Sequence, residues 1–105
     1  MATALLTVNK KYSKIQSAIN LKYKNETISK IKKLKLTTYD YDRNHEPKNV
    51  KNGGSTIEWG IKNAIKNSKK PPDIIYHKGD FGKEPMIIVF AETPDIVVKK
   101  ILKII

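Results

Sequence analysis

Met86-Ile87-Ile88-Val89-Phe90-Ala91 is the longest unbroken apolar run in the chain, set between Pro85 and Glu92-Thr93-Pro94. A strand that is apolar at every position needs cover on both faces, as at the centre of an α/β sheet. A sheet with one wet face would alternate apolar and polar residues instead. With 105 residues and no cysteine, the chain reads as one domain held by apolar burial. A disulfide framework, a cysteine zinc site and a thiol nucleophile are excluded. Two histidines, His45 and His77, are too few for a histidine-rich metal cage. The run also falls far short of the ~20 apolar residues that cross a bilayer. The opening Met-Ala-Thr-Ala-Leu-Leu has no basic flank of the signal-peptide kind. The expectation is a soluble, cytoplasmic protein with no membrane association.

The rest of the chain supplies the layers. Residues 2–11 have weak helical character, with Ala2, Leu5 and Leu6 on one face and no cap before them. An uncapped helix at the first residue points to a domain that starts upstream. Ile15, Ser17, Ile19 and Leu21 alternate with polar or small residues, a strand pattern with an expected inner face. Asn25 is the expected N-cap of a helix carrying Ile28, Ile31 and Leu34, and residues 36–41 are rich in Thr and Tyr, as strands are. Strand, helix and strand at this spacing resemble a compact βαβ unit. Ser55 and Glu58 form a capping box before Ile57, Ile61, Ala64 and Ile65, and Pro71-Pro72 is the expected stop. Residues 73–77 form a short strand, and the apolar run follows after a glycine-containing loop. Thr93 caps a last helix with Pro94 at its first position and Val97, Val98, Ile101, Leu102 and Ile105 as its expected inner face. The fold class is therefore α/β in three layers, a mixed β-sheet of about four strands flanked by helices.

Charge is concentrated and of one kind. The formal net charge is +11, and residues 10–35 hold nine lysines against one acid, Glu26. Arg43 is the only arginine. Reading base edges or clamping phosphate usually calls on the planar fork of Arg, whereas a lysine field attracts polyanions without specificity. Two interpretations stay open, a lysine-biased surface and a basic nucleic-acid-associated module.

Two loops could hold an anion. Gly53-Gly54-Ser55-Thr56 precedes a capped helix, whose first N–H groups face whatever lies there. The same residues also suit a plain turn that Ser55 caps. In Lys78-Gly79-Asp80-Phe81-Gly82-Lys83-Glu84-Pro85, Asp80 could bind a divalent ion and Lys83 could neutralise phosphate. An ordinary strand connection is the alternative. Trp59 in the first helical turn could stack on a planar heterocycle or cover a loop as a boundary residue. His77 could serve as an acid/base group, though a half-exposed structural histidine is the plainer expectation. Asp42-Gly54 is polar but for Val50 and includes His45, expected to be solvated.

The phrases Gly-Gly-Ser-Thr-Ile-Glu-Trp-Gly (53–60), Pro-Asp-Ile-Ile-Tyr (72–76) and Gly-Asp-Phe-Gly-Lys-Glu-Pro-Met-Ile (79–87) resemble the archaeal thiamine-phosphate synthase domain of the ThiN type. Ser17–Tyr23 and Tyr41-Asp42-Arg43 extend the likeness to nearly the whole chain. The resemblance implies a single synthase-like domain over 1–105, lacking its N-terminal part. It implies a transferase that joins a pyrimidine diphosphate to a thiazole phosphate, giving thiamine phosphate and pyrophosphate with the help of Mg²⁺. Gly53, Gly54, Ser55 and Thr56 would bind phosphate beside Trp59. Lys83 and Asp80 would be catalytic, with Asp80 also positioning the metal. Asn20 and Lys22, and Asp42 and Arg43, would line the site from the ends of the first two strands. The implied partners are the phosphorylated precursors or thiamine phosphate itself, and a hydroxymethylpyrimidine kinase domain, to which such domains are often fused. The apolar last turn could also pair with a copy of the chain.

Two departures bear on activity. The resemblance implies a catalytic histidine that would lie before residue 1, so neither His45 nor His77 matches it. Lys22 stands where the family usually has Arg, keeping charge but losing the fork. A non-catalytic sensor of thiamine phosphates, or a relic, is the alternative. No helix-turn-helix can be placed, so DNA binding in cis has no support.

Overall fold

The computed structural model describes residues 2–40, 56–77 and 85–105, with backbone alone for residues 2, 3 and 56–58. Its elements run α1 (Ala2–Lys11), β1 (Ser17–Lys22), α2 (Asn25–Lys33), β2 (Thr38–Asp40), α3 (Thr56–Ile65), β3 (Ile74–His77), β4 (Met86–Ala91) and α4 (Pro94–Ile104). This is the expected order. The four strands form one mixed sheet in the order β1-β4-β3-β2, with β1/β4 and β4/β3 antiparallel and β3/β2 parallel.

The apolar run sits where its composition requires. In β4, Ile87 through Ala91 are all buried, and every residue of β3 is buried beside it. Alternate residues serve opposite layers. Ile75, Ile88 and Phe90 pack with Ala4 and Val8 of α1 and Ile61 and Ile65 of α3. Ile74, Tyr76, Ile87 and Val89 pack with Ile28 and Ile31 of α2 and Val97 and Ile104 of α4. Fully burying one such side chain contributes about 1.5–3 kcal/mol, more than the ~0–1 kcal/mol of an exposed lysine–acid pair. Packing on these two strands, not the charge pattern, fixes the three layers.

Several expectations are corrected. β1 and β2 are not neighbours in a compact βαβ unit, since β3 and β4 lie between them. The fully apolar strands take the centre, and the strands with polar positions go to the edges. On edge strand β1, Ile19 is 39% exposed, while Ala18 packs against the α1/α3 layer. In α1 the buried residues are Ala4, Thr7 and Val8, and Leu6 is exposed. In α4 the inner stripe is Val97, Lys100, Ile101 and Ile104, whereas Val98 and Ile105 are exposed and Leu102 is 69% exposed. Lys100 turns the helix to this face, because its ammonium donates to Phe90 O and to Asp73 Oδ1, each at 2.7 Å.

Helix ends differ in instructive ways. Thr93 caps α4 as expected, its hydroxyl accepting from Ile96 N at 3.3 Å with Pro94 next. At α2 the cap residue is Lys24 in extended conformation, so Asn25 is already helical and no side chain caps the end. α3 stops at Ile65, well before Pro71-Pro72, where the Ser68 hydroxyl donates to Ile65 O at 2.8 Å. Tyr12 OH meets the Ser68 hydroxyl at 2.6 Å, and the Lys11 ammonium donates to Ile65 O at 2.6 Å. Lys35 follows α2 at φ 57, a left-handed position more often held by glycine.

Asp73 knots the far end of the sheet. Its Oδ2 accepts from Thr37 N at 2.8 Å, its Oδ1 from Lys100, and its backbone N–H donates to Thr37 O at 2.8 Å. Removing the carboxylate strands one N–H and one ammonium in a partly buried place. Asp73→Ala should lower the unfolding free energy by about 1–3 kcal/mol. A urea melt measures it, with exposed Lys32→Ala as a control expected within about 0.5 kcal/mol.

Candidate functional site

Strand directions bring four strand termini to one end of the sheet. Lys22 ends β1, Asp40 ends β2, His77 ends β3 and Met86 begins β4. The register places Lys22 opposite Met86, Met86 opposite His77, and Asp40 opposite Tyr76. α3 runs back along the sheet, its last turn tied to Lys11 and Tyr12 at the far end, which brings its first turn, from Thr56, to the site end. Ends of neighbouring strands beside a helix N-terminus are where α/β sheets receive ligands.

One face of that end is favoured. Ala18 packs against the α1/α3 layer, so Asn20 and Lys22 share that face by strand alternation. Both are exposed. Trp59 is half-buried and packs against the same cluster as Met86, which agrees with a boundary position. Trp59, Lys62, Asn63 and Lys66 border an open cleft of about 230 Å³. An indole beside two ammonium groups suits a planar, anionic guest. Asn20, Lys22, Trp59 and the α3 start are thus brought to one face and end. Asp42, Arg43, Gly53, Gly54, Ser55, Asp80, Lys83 and His45 lie outside the described residues. Among the described residues no three His, Asp or Glu side chains cluster as metal ligands.

His77 corrects the sequence expectation, since it is 1% exposed rather than half-exposed. Residues 73–77 show no alternation, and that signal of a doubly covered strand applied to His77 as much as to its apolar neighbours. Sequence reasoning also missed Tyr76, buried on the α2/α4 face with its ring centroid 6.3 Å from that of Tyr23. Burial holds the Tyr76 hydroxyl above its ordinary value near 10, and the Asp40 carboxylate and then Tyr23 add to the rise.

The sequence profile of the thiamine-phosphate synthase ThiN family matches residues 1–103. The chain belongs to this family. It is 37% identical over 106 residues to the thiamine-phosphate synthase ThiN of Methanothermobacter thermautotrophicus, covering all of this chain and 56% of that protein. It is 41% identical over 101 residues to the bifunctional thiamine biosynthesis protein ThiDN of Methanocaldococcus jannaschii, covering 96% of this chain and 23% of that protein. The crystal structure of the C-terminal domain of phosphomethylpyrimidine kinase superposes with a TM-score of 0.90 at 45% identity, over 99% of this chain and 59% of that one. This ThiN-family chain spans about half the ThiN protein and less than a quarter of ThiDN. The α/β fold expected from sequence is the fold of that C-terminal domain. Among the described residues no helix is long and apolar enough to cross a membrane.

Tyr76 gives the site end a measurable pH signature. Its folded value lies above its unfolded one, so its stabilisation is complete below the ordinary value near 10 and is lost as pH rises through the raised folded value. Tyr76→Phe should flatten the fall of the urea midpoint above about pH 10. An unchanged alkaline slope would assign the decline to other groups.

Proposed function

We propose that this chain is the substrate-holding part of a thiamine-phosphate synthase, binding phosphorylated thiamine precursors and thiamine phosphate at the shared end of the sheet. The observation that carries this is the convergence of Lys22, Trp59 and the α3 N-terminus at one end of a ThiN-family fold. In the reaction, the bond between the pyrimidine methylene carbon and the diphosphate oxygen breaks, and the electron pair leaves on the diphosphate. The thiazole nitrogen lone pair forms the new C–N bond, so no proton need move. Charge grows on the leaving group, and the chain's task is to hold that charge out of bulk water.

Gly53, Gly54, Ser55 and Thr56 would present backbone and hydroxyl donors to a phosphate, and Lys83 would neutralise it. Asn20, Lys22, Asp42 and Arg43 would close the site from the strand ends, with Trp59 against a ring. A magnesium site of this kind takes one or two carboxylates plus substrate phosphates, so Asp80 would be the chain's donor, and the ion would supply charge neutralisation on the diphosphate. A hydroxymethylpyrimidine kinase domain, as partner or fusion, would supply the diphosphate substrate. The second reading, a thiamine-phosphate sensor, draws on Lys22 standing where the resemblance implies an Arg.

A ligand that binds only the folded chain stabilises it by about 2.7 kcal/mol at a hundredfold excess over Kd. Thiamine phosphate, or the two precursors with Mg²⁺, should therefore raise Tm by several degrees, and Lys83→Ala should reduce the rise. No shift with any of them would overturn the proposal. Binding without formation of thiamine phosphate would select the sensor.

A further inference from the structure

β1 is an edge strand that keeps everything pairing requires. Its six residues stay in register with β4 at every position, from Ser17 opposite Ala91 to Lys22 opposite Met86. So regular a ladder has no bulge, and the strand contains neither proline nor glycine. Alternate residues of such a strand turn their N–H and C=O groups away from the neighbour. Among the described residues no strand pairs with them. Shortness, proline and bulges are common ways of closing an edge to newcomers. The opposite edge strand, β2, is short, with three residues. β1 uses none of these devices.

One face beside this edge is apolar. Ile19 and Leu21 share the α2/α4 face by alternation, and α4 packs against β1 on that side. The cover is incomplete, since Leu21 is half-buried and Ile19 is 39% exposed. On α4, Lys100 is held toward β3 by Asp73 Oδ1. Val98, Leu102 and Ile105, spaced by four and three residues, lie on the flank away from Lys100 and are exposed. A strand added to β1 would meet this apolar flank together with Ile19.

Charge selects what can be added. Ser17 to Leu21 carry no charge. At the start of the strand Lys14 shares a cleft with Glu92, so charge there is partly offset. At its end Lys22, Lys24 and Lys30 share a cleft with Glu26 alone as acid. A second copy paired antiparallel along β1 would set Lys22 and Lys24 against Lys14, an arrangement that like charges disfavour. Carboxylates are favoured in the same place.

We propose that the β1 edge docks an extended segment of another protein, which joins the sheet as a further strand. The segment is apolar at alternate positions and acidic where it meets Lys22 and Lys24. The outward N–H and C=O groups supply the pairing, and Ile19, Val98 and Leu102 receive the alternate apolar side chains. The lysines choose among strands and repel a copy. This inference does not rest on the proposed function.

Amide NMR and hydrogen exchange of the full 105-residue chain test it. The probe is a synthetic peptide of alternating valine and threonine with a pair of glutamates at each end. Saturable shifts in Ser17–Lys22 and on the exposed flank of α4 are expected, with slowed exchange at every second amide of β1. Exchanging the peptide's glutamates for lysines should weaken binding by about tenfold, and so should Lys22→Glu/Lys24→Glu in the chain. Leu102→Ser should weaken it as well. A peptide with proline at alternate positions keeps the charge but loses the N–H donors, and should not bind. Lys22, Lys24 and Leu102 are exposed, so the variants should keep the wild-type urea midpoint, and the peptide exchanges test the same contacts in the unaltered chain. No saturable shift, or undiminished binding of the proline or lysine peptide, would overturn the proposal. Shifts of these β1 amides that grow with protein concentration in the absence of peptide would place a second copy on the edge and overturn it too.

Discussion

Everything in this fold depends on a pair of strands that cannot tolerate water on either face. β3 and β4 are buried from end to end apart from Met86, and their alternate residues feed two separate apolar clusters. Two helices must therefore lie on each side, and the four described helices divide accordingly. The pair also decides the sheet order. Strands with exposed positions can only stand outside it, which separates β1 from β2 although they are close in sequence.

The two ends of the sheet then take different duties. At one end Asp73 joins β2, β3 and α4 through its carboxylate and its main chain, while Lys11, Tyr12 and Ser68 tie α1 to the end of α3. At the other end stand strand termini, helix starts and exposed lysines, with the cleft lined by Lys22, Lys24 and Lys30 on one face. These long-range side-chain ties hold the first end together. The groups proposed to bind ligand stand at the other end, on strands held from behind.

Much of this was legible in the sequence, for reasons that can be named. The apolar run, the Thr93-Pro94 start and the spacing of Ile61 and Ile65 are local signals, and each gave its element. Strand order was not legible, because pairing is decided by competition between strands for the centre. Helix faces were partly misread where one long-range bond overrode periodicity, as Lys100 does in α4. The cap at Asn25 failed because the backbone enters the helix one residue earlier. At the site, the residue types were read from motif phrases, and the fold brings Asn20, Lys22 and Trp59 to a common face. Burial of His77 and Tyr76 follows from the missing alternation in residues 73–77.

The edge strand β1 carries a further consequence. Among the described residues its outer side has no ladder partner, so a row of main-chain donors and acceptors is available for zippering to another strand. Lys14, Lys22 and Lys24 stand exposed along and beside it. Two copies approaching edge to edge would have to bring these ammonium groups together and strip their hydration. Part of the lysine excess thus sets an electrostatic cost against edge-to-edge pairing of an open-edged sheet, independent of any ligand.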